Sequence, residues 1–292
     1  MKAINKESIK NKKHIYIPNY YSSESELFIL PDDKLYKCFK GPLMHENRHR
    51  VNYLTKKMQF VEHMPSGLIV PKLAVLDNKG LLNGYTMDKV DGINIDKYES
   101  ECSSFDKTDL YRYREIYYGL KEFIQKAGDN IVFPNLLDLR NVFITKNGMS
   151  FVCFDDMQIG NVEGYIASDI ECNYGGPILR TEKYYKDGLY TKNMDTRSLI
   201  YIYFLLALNF NLSYFSLFEE GELEHQIQKS LYALGIKDDN ITHIGEKIRL
   251  LFDEYEDNEY IDDFVDYITE EGNLIYYYDF ILGKNRKNLI LK

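Results

Sequence analysis

The chain has no tryptophan and only four cysteines in 292 residues. Cys38, Cys102, Cys153 and Cys172 are widely scattered, with no Cys-x-x-Cys among them. That spacing excludes a dense disulfide framework and a structural zinc site, and it is the usage expected of a reduced, cytoplasmic protein. The six histidines form no His-Glu-x-x-His motif, and only His45 and His49 stand four apart, a solvated basic helix face more readily than a metal pair. Long apolar runs are missing too: the most apolar stretch, 199–208, is ten residues long and then meets Asn209 and Asn211. A membrane-spanning helix needs about 20 such residues, so no membrane span is expected and this stretch reads as a buried helix. The first 13 residues hold five lysines and no apolar core, which is not the pattern of a signal peptide. Positive charge is scarce overall, 36 Lys and Arg against 45 Asp and Glu, a net of −9. General binding to nucleic acid or to an anionic membrane would want the opposite balance.

What remains is the composition of a folded protein, 45% hydrophobic and 28% charged, with enough chain for one large domain or two modest ones. The 26 tyrosines accompany abundant Lys, Asn and Ile, the residue usage of an AT-rich coding sequence, and are not read as phosphorylation sites or base-stacking platforms. Charge is uneven. Residues 219–271 hold 17 acidic side chains against four Lys or Arg, a net of −13 that leaves +4 for the rest. Solvated helix faces account for this most simply; a docking face for a basic protein partner is the sharper alternative.

Along the chain, residues 14–42 read as extended, with Leu27-Phe28-Ile29-Leu30, the turn Pro31-Asp32-Asp33 and the alternating Leu35-Tyr36-Lys37-Cys38-Phe39-Lys40 forming a hairpin. Val51, Leu54, Met58 and Val61 set a helical stripe over 44–64, ended by Pro65-Ser66-Gly67. Two more strands are expected at 69–76 and 84–90. Beyond Asp91-Gly92 the pattern turns helical, with Leu110, Tyr113, Tyr117, Leu120 and Ile124 marking a helix over 109–126. Two short strands, 142–145 and 150–154, flank a turn containing Asn147-Gly148. Residues 157–193 read as irregular, and the remainder as helical.

This order carries a resemblance. A strand with Lys37, a helix, two strands, a connector, then a helical region with one hairpin and a buried helix resembles the protein-kinase-like superfamily. Lys37 is similar to the strand lysine that grips the α- and β-phosphates of ATP. Glu46 is similar to the helix acid that pairs with it, with Glu62 less well placed. Met87 and Asp88, in the stretch from Gly84 to Gly92, resemble the hinge where backbone groups meet adenine. Asn141, followed by Val142-Phe143-Ile144, resembles the metal-binding asparagine that closes the catalytic loop. Asp155 stands fourteen residues on, where the family places its metal-binding aspartate. Asp195, in Asp195-Thr196-Arg197-Ser198-Leu199, resembles the start of the buried helix whose aspartate braces the catalytic loop through its amides.

The departures matter as much. Counting back five residues from Asn141, to the place of the family's catalytic aspartate, lands on Leu136, and anchoring on Ile131-Val132 puts Asn135 there. Neither side chain is a carboxylate base. Asp138 is the nearest carboxylate and the candidate substitute base. A second alignment, using Asp155-Asp156 as the later carboxylates of the small-molecule kinase pattern, sets Cys153 at the metal position, where a thiol would serve Mg²⁺ poorly. The stretch Asn19–Glu26 resembles the phosphate-covering loop by position but has no glycine.

The expected fold is therefore α+β and bilobal: a small β-rich lobe with one helix over 1–91, and a larger helical lobe over 92–292 with the catalytic-loop-like hairpin and a buried helix near 195–208. The resemblance implies a divergent kinase-like protein that binds ATP and Mg²⁺ and is at most a weak phosphotransferase to a protein hydroxyl. Two other readings share the fold. One is a pseudokinase acting as a binding module through its acidic lobe; the other is a small-molecule kinase of aminoglycoside or choline type.

Overall fold

The computed structural model describes residues 2–10, 15–16, 25–30, 34–39, 48–95, 107–136, 139–152, 154–164 and 182–208, with the single positions 262, 265, 266 and 269. Its architecture is α+β, built on a mixed sheet with few helices.

Six strands form that sheet: β1 (Lys2–Asn5), β2 (Ile15–Tyr16), β3 (Ser25–Ile29), β4 (Lys34–Phe39), β5 (Pro71–Leu76) and β6 (Leu82–Asp88), in the order β1-β5-β6-β4-β3-β2. All pairings are antiparallel except β1 with β5. The hairpin expected over 14–42 is present as β3 and β4, paired from Ser25 with Phe39 to Ile29 with Leu35. The lysine-rich start of the chain carries no strand signal, yet it supplies the parallel edge strand β1, then helix α1 (Lys6–Lys10). Both sheet faces are covered, which explains why β4 and β6 are buried along most of their length. On one face Ile9 of α1 packs with Leu30, Tyr36 and Val75. On the other, Leu27, Leu35, Phe39, Tyr85 and Met87 join the main core.

The turn between β5 and β6 is chemically determined. Asp77 Oδ1 accepts from the amides of Lys79 at 2.9 Å and Leu81 at 2.8 Å, and Gly80 takes φ 75°. Helix α2 (Arg48–Lys57) continues as a 3-10 turn over Met58–His63. The expected stripe buries Leu54 and Met58.

A second sheet, in the order β10-β9-β7, follows the short connector after Asp88. It consists of β7 (Gly92–Asn94), β9 (Val142–Thr145) and β10 (Gly148–Phe151). Gly148 at φ 107° closes the β9–β10 turn, while Thr145 Oγ1 donates to Gly148 O and accepts from the Asn147 amide. Because Gly148 already pairs with Thr145, β10 begins two residues earlier than the apolar pattern indicates and ends at Phe151. Helix α3 (Lys107–Ala127) buries Tyr113, Tyr117, Leu120 and Ile124 as its stripe predicts. Helix α4 (Asn193–Leu208) is the expected buried helix; Tyr203 on it meets Tyr117 of α3 edge-to-face, ring centroids 5.7 Å apart.

Residues 157–193 are not wholly irregular. β11 (Gln158–Ile159) pairs with β8 (Ile131–Val132), and β12 (Tyr185–Lys186) with β13 (Leu189–Tyr190). These strands of two residues are too short to show a period-2 pattern, so the sequence could not announce them. Among the described residues no helix is long and apolar enough to cross a membrane.

Candidate functional site

Strand alternation places Lys37 and Tyr85 on one face of the large sheet, because they are register partners across β4 and β6. Gly84 lets these strands approach closely: a Cβ there would stand 2.0 Å from the Lys37 carbonyl oxygen. Facing them is Asp155, brought in by the chain leaving β10. Lys37 Nζ donates to both carboxylate oxygens of Asp155 at 2.8 Å, and the Tyr85 hydroxyl donates to Oδ1 at 2.7 Å. Lys37 and Asp155 are each 4% exposed and Tyr85 is fully buried. A charge pair this dry persists only because its oxygens are so fully served.

A second lysine completes the cluster. Lys57, the last residue of α2, is 1% exposed and donates from Nζ to the Asp155 main-chain oxygen at 2.9 Å. Two ammonium groups from different elements thus converge on one residue.

The segment that the sequence aligns with a catalytic loop begins at β8. Ile131-Val132 leads into a turn whose Phe133 amide donates to Asp195 Oδ1 at 2.7 Å. This is the loop-amide contact expected of Asp195. Lys192 Nζ lies 2.8 Å from Asp195 Oδ2 and also donates to the Ile131 carbonyl at 2.7 Å. Full burial pushes the Asp195 carboxyl above the ordinary aspartate range, while Lys192 and the Phe133 amide pull it down. Asn135 and Leu136, the two positions reached by counting to the catalytic base, are both buried. Asn141 ends the 3-10 turn Leu139–Asn141; its side chain is buried and its carbonyl accepts from the Val152 amide at 3.0 Å. Asp156 is buried beside Asp155. Gln158 then ties β11 to β13 through paired bonds to the main chain of Tyr190, 2.8 and 2.7 Å.

Of the residues singled out in the sequence, Lys37 and Asp155 are in direct contact, and Asn141 lies in the core at the start of the hairpin that leads to Asp155. Met87 shares the Lys37 face and is fully buried. Asp88 is on the opposite face, exposed and paired with Lys72 at 2.9 Å. Glu46, Asp138 and Cys153 lie outside the described residues, as do residues 19–24 of the glycine-free stretch; Ser25 and Glu26 belong to β3. The described partner of Lys37 is thus Asp155. Tyr85 and Lys57 escaped the sequence reading. Tyr85 looks like any aromatic strand residue until register sets it opposite Lys37. Lys57 stands three after Leu54 and four before Val61, on the stripe's own face, and that spacing was the available signal.

The cluster sets two ammonium groups, Lys37 and Lys57, against Asp155, with the buried Asp156 next to it in sequence. For Mg²⁺ the donors fit in kind, since Asp155 and Asn141 carry the hard oxygens that ion takes. In arrangement they do not, because both Asp155 oxygens are bonded to Lys37 or Tyr85 and two ammonium groups stand within 2.9 Å of that residue's oxygens. Among the described residues no group of three or more His, Cys, Asp or Glu is gathered to hold a metal. Compared with known proteins, the chain matches no family model and no curated protein.

Proposed function

We propose that this chain is a divergent kinase-like module that binds ATP between its β-rich part and the helical part following Asp91, with phosphoryl transfer slow or lost. The observation that carries the reading is the contact of Lys37 with Asp155, across 118 residues of sequence, at the junction of the large sheet and the chain following the β9–β10 hairpin. In a kinase-like arrangement the strand lysine and the metal-position aspartate are the two groups that must face one site. The Asp195 bond to the loop amide, and the position of β8 just ahead of that loop, support the same arrangement. Lys37 would contact phosphate oxygens and Met87–Asp88 would lie at the adenine edge. Neither counted position of the loop offers a base, since Asn135 and Leu136 are buried and carry no carboxylate. Without a base, an acceptor hydroxyl keeps its proton and transfer to a protein hydroxyl is slow.

Thermal unfolding with ATP tests the reading. At a hundred times its Kd a ligand adds about 2.7 kcal/mol of stability, which is a readily visible shift. The wild-type shift is expected to vanish in Lys37→Met, with each protein compared with its own unliganded transition. No shift in the wild-type protein would sink the reading.

A further inference from the structure

A groove of about 920 Å³ runs between α3, the β9–β10 hairpin and residues 66–69, and Ile116, Phe123, Ile144 and Met149 line it with apolar side chains. On the helix side it is lowest at Gly119, where an added Cβ would stand 3.0 Å from Met149 Cγ. The helical wall runs from Arg112 to Lys126. That is about 21 Å at a helix's rise per residue, the span of about six residues of extended chain. The opposite wall is a strand edge. Phe151 turns its main-chain groups outward there, its amide donating to Gly67 O at 2.9 Å and its carbonyl accepting from the Ile69 amide at 2.7 Å. Strand alternation turns the Met149 amide to the same edge. It has no main-chain partner there among the described residues, since the neighbouring segment bends away in the Pro65–Leu68 turn.

Charge on the rim is compensated except at one position. Glu122 and Lys126 pair at 2.6 Å, and Arg112 is engaged by an interaction of its own. Glu115 is exposed and has no partner among the described residues. We propose that this groove docks an extended peptide of a partner protein, with an unbranched apolar side chain over Gly119 and a lysine or arginine two positions away against Glu115. The helix sets that spacing. Glu115 and Gly119 are neighbours one turn apart, about 6 Å, and alternate side chains of an extended chain repeat at about 6.6 Å. The flexible thioether of Met149 adapts to an unbranched side chain laid on it. The Met149 amide offers a donor to a peptide carbonyl, as the Phe151 amide does to Gly67 O. The net charge of −9 draws a basic segment toward the protein. This inference stands apart from the nucleotide reading.

The test is selection of a displayed library of randomised octapeptides on the full-length protein, then fluorescence anisotropy of labelled peptides from the enriched pool. Enrichment of Met or Leu two positions from Lys or Arg is expected. Glu115→Lys is expected to weaken these peptides by about fivefold or more, through like-charge repulsion at the rim. Replacing the peptide's basic residue by Glu is expected to restore binding to that variant, which also shows that the variant is folded. Gly119→Ala, a change that favours the helix itself, fills the groove and is expected to weaken binding as well. A library that yields no enriched peptide overturns the proposal, and so does equal affinity for wild type and Glu115→Lys. Apolar residues spaced three and four apart in the enriched peptides would mean a helical occupant and overturn the extended one.

Discussion

Lys37 and Tyr85 face one another across β4 and β6, and both end on the carboxylate of Asp155. The lysine brings the charge and the phenol brings a neutral donor, so the carboxylate sits in the core with its oxygens occupied. This three-residue contact joins the large sheet to the chain that follows the β9–β10 hairpin, and the strength of that join is measurable.

Lys37→Met leaves the Asp155 carboxylate buried without its cation. The expected cost is about 3–5 kcal/mol, the usual penalty for breaking a buried pair from one side. The double variant Lys37→Met/Asp155→Leu is expected to recover much of that loss, because both charges of the pair are then removed together. Urea unfolding of wild type, both single variants and the double variant closes the cycle. A Lys37→Met cost below about 1 kcal/mol, the range of solvent-exposed pairs, would contradict the buried pairing.

Gly84→Ala tests the register that brings the pair together. A Cβ at this position would meet the Lys37 carbonyl oxygen at 2.0 Å and Tyr36 Cε2 at 3.0 Å, so β4 and β6 must separate. Overpacking of this kind typically costs about 1–3 kcal/mol, and backbone in the way allows less relief than a side chain would. Denaturant unfolding reads the loss, and full wild-type stability would argue against this strand pairing.

Asp195→Ala removes the acceptor of the Phe133 amide. A buried donor left without a partner costs about 1–3 kcal/mol. Hydrogen exchange at the Phe133 amide is expected to quicken by on the order of tenfold or more, equivalent to about 1.4 kcal/mol or more of lost protection. Exchange as slow as in the wild type would show that Asp195 does not hold this loop.

Alkali should unfold the protein sharply. Burial pushes the phenols of Tyr36, Tyr117 and Tyr203 well above the ordinary tyrosine range, with Asp262 adding to the effect at Tyr117. Tyr118, less buried and bonded to Asp266, is pushed up to about 12. Unfolded tyrosines lose their protons near pH 10, so above that pH the folded state binds more protons than the unfolded one. Stability is then fully present below about pH 10 and falls as pH rises through it, by about 1.4 kcal/mol per pH unit for each phenol held neutral. A melting temperature level from pH 9 to pH 11.5 would refute this. Tyr117→Phe, which has no proton to lose, is expected to make the decline shallower.

Much of the local structure was legible because its causes are local. Asp77 and Gly80 build the β5–β6 turn from within a few residues, Asn147 and Gly148 do the same between β9 and β10, and the apolar spacing of α3 matches its buried face. The edge strand β1 was missed because a parallel pair is stabilised by a partner some seventy residues away and leaves no turn signal. At the candidate site, Lys37, Asn141, Asp155 and Asp195 were singled out through the order in which they occur. Tyr85 and Lys57 were missed because a tyrosine in a strand and a lysine in the last turn of a helix are ordinary in themselves.

The sequence by itself determined the α+β character, the helical stripes, the turns, and the absence of a carboxylate at either counted position of the loop before Asn141. The tertiary structure decided which groups meet. That Lys37 pairs with Asp155, that Tyr85 shares its carboxylate, and that Lys57 brings a second charge to the same residue all depend on strand register and on where α2 ends against the chain after β10. Such contacts join residues 70 to 118 positions apart. No local pattern encodes them, because their energy is gained only after the sheet and the hairpin have come together and water has been excluded from between them.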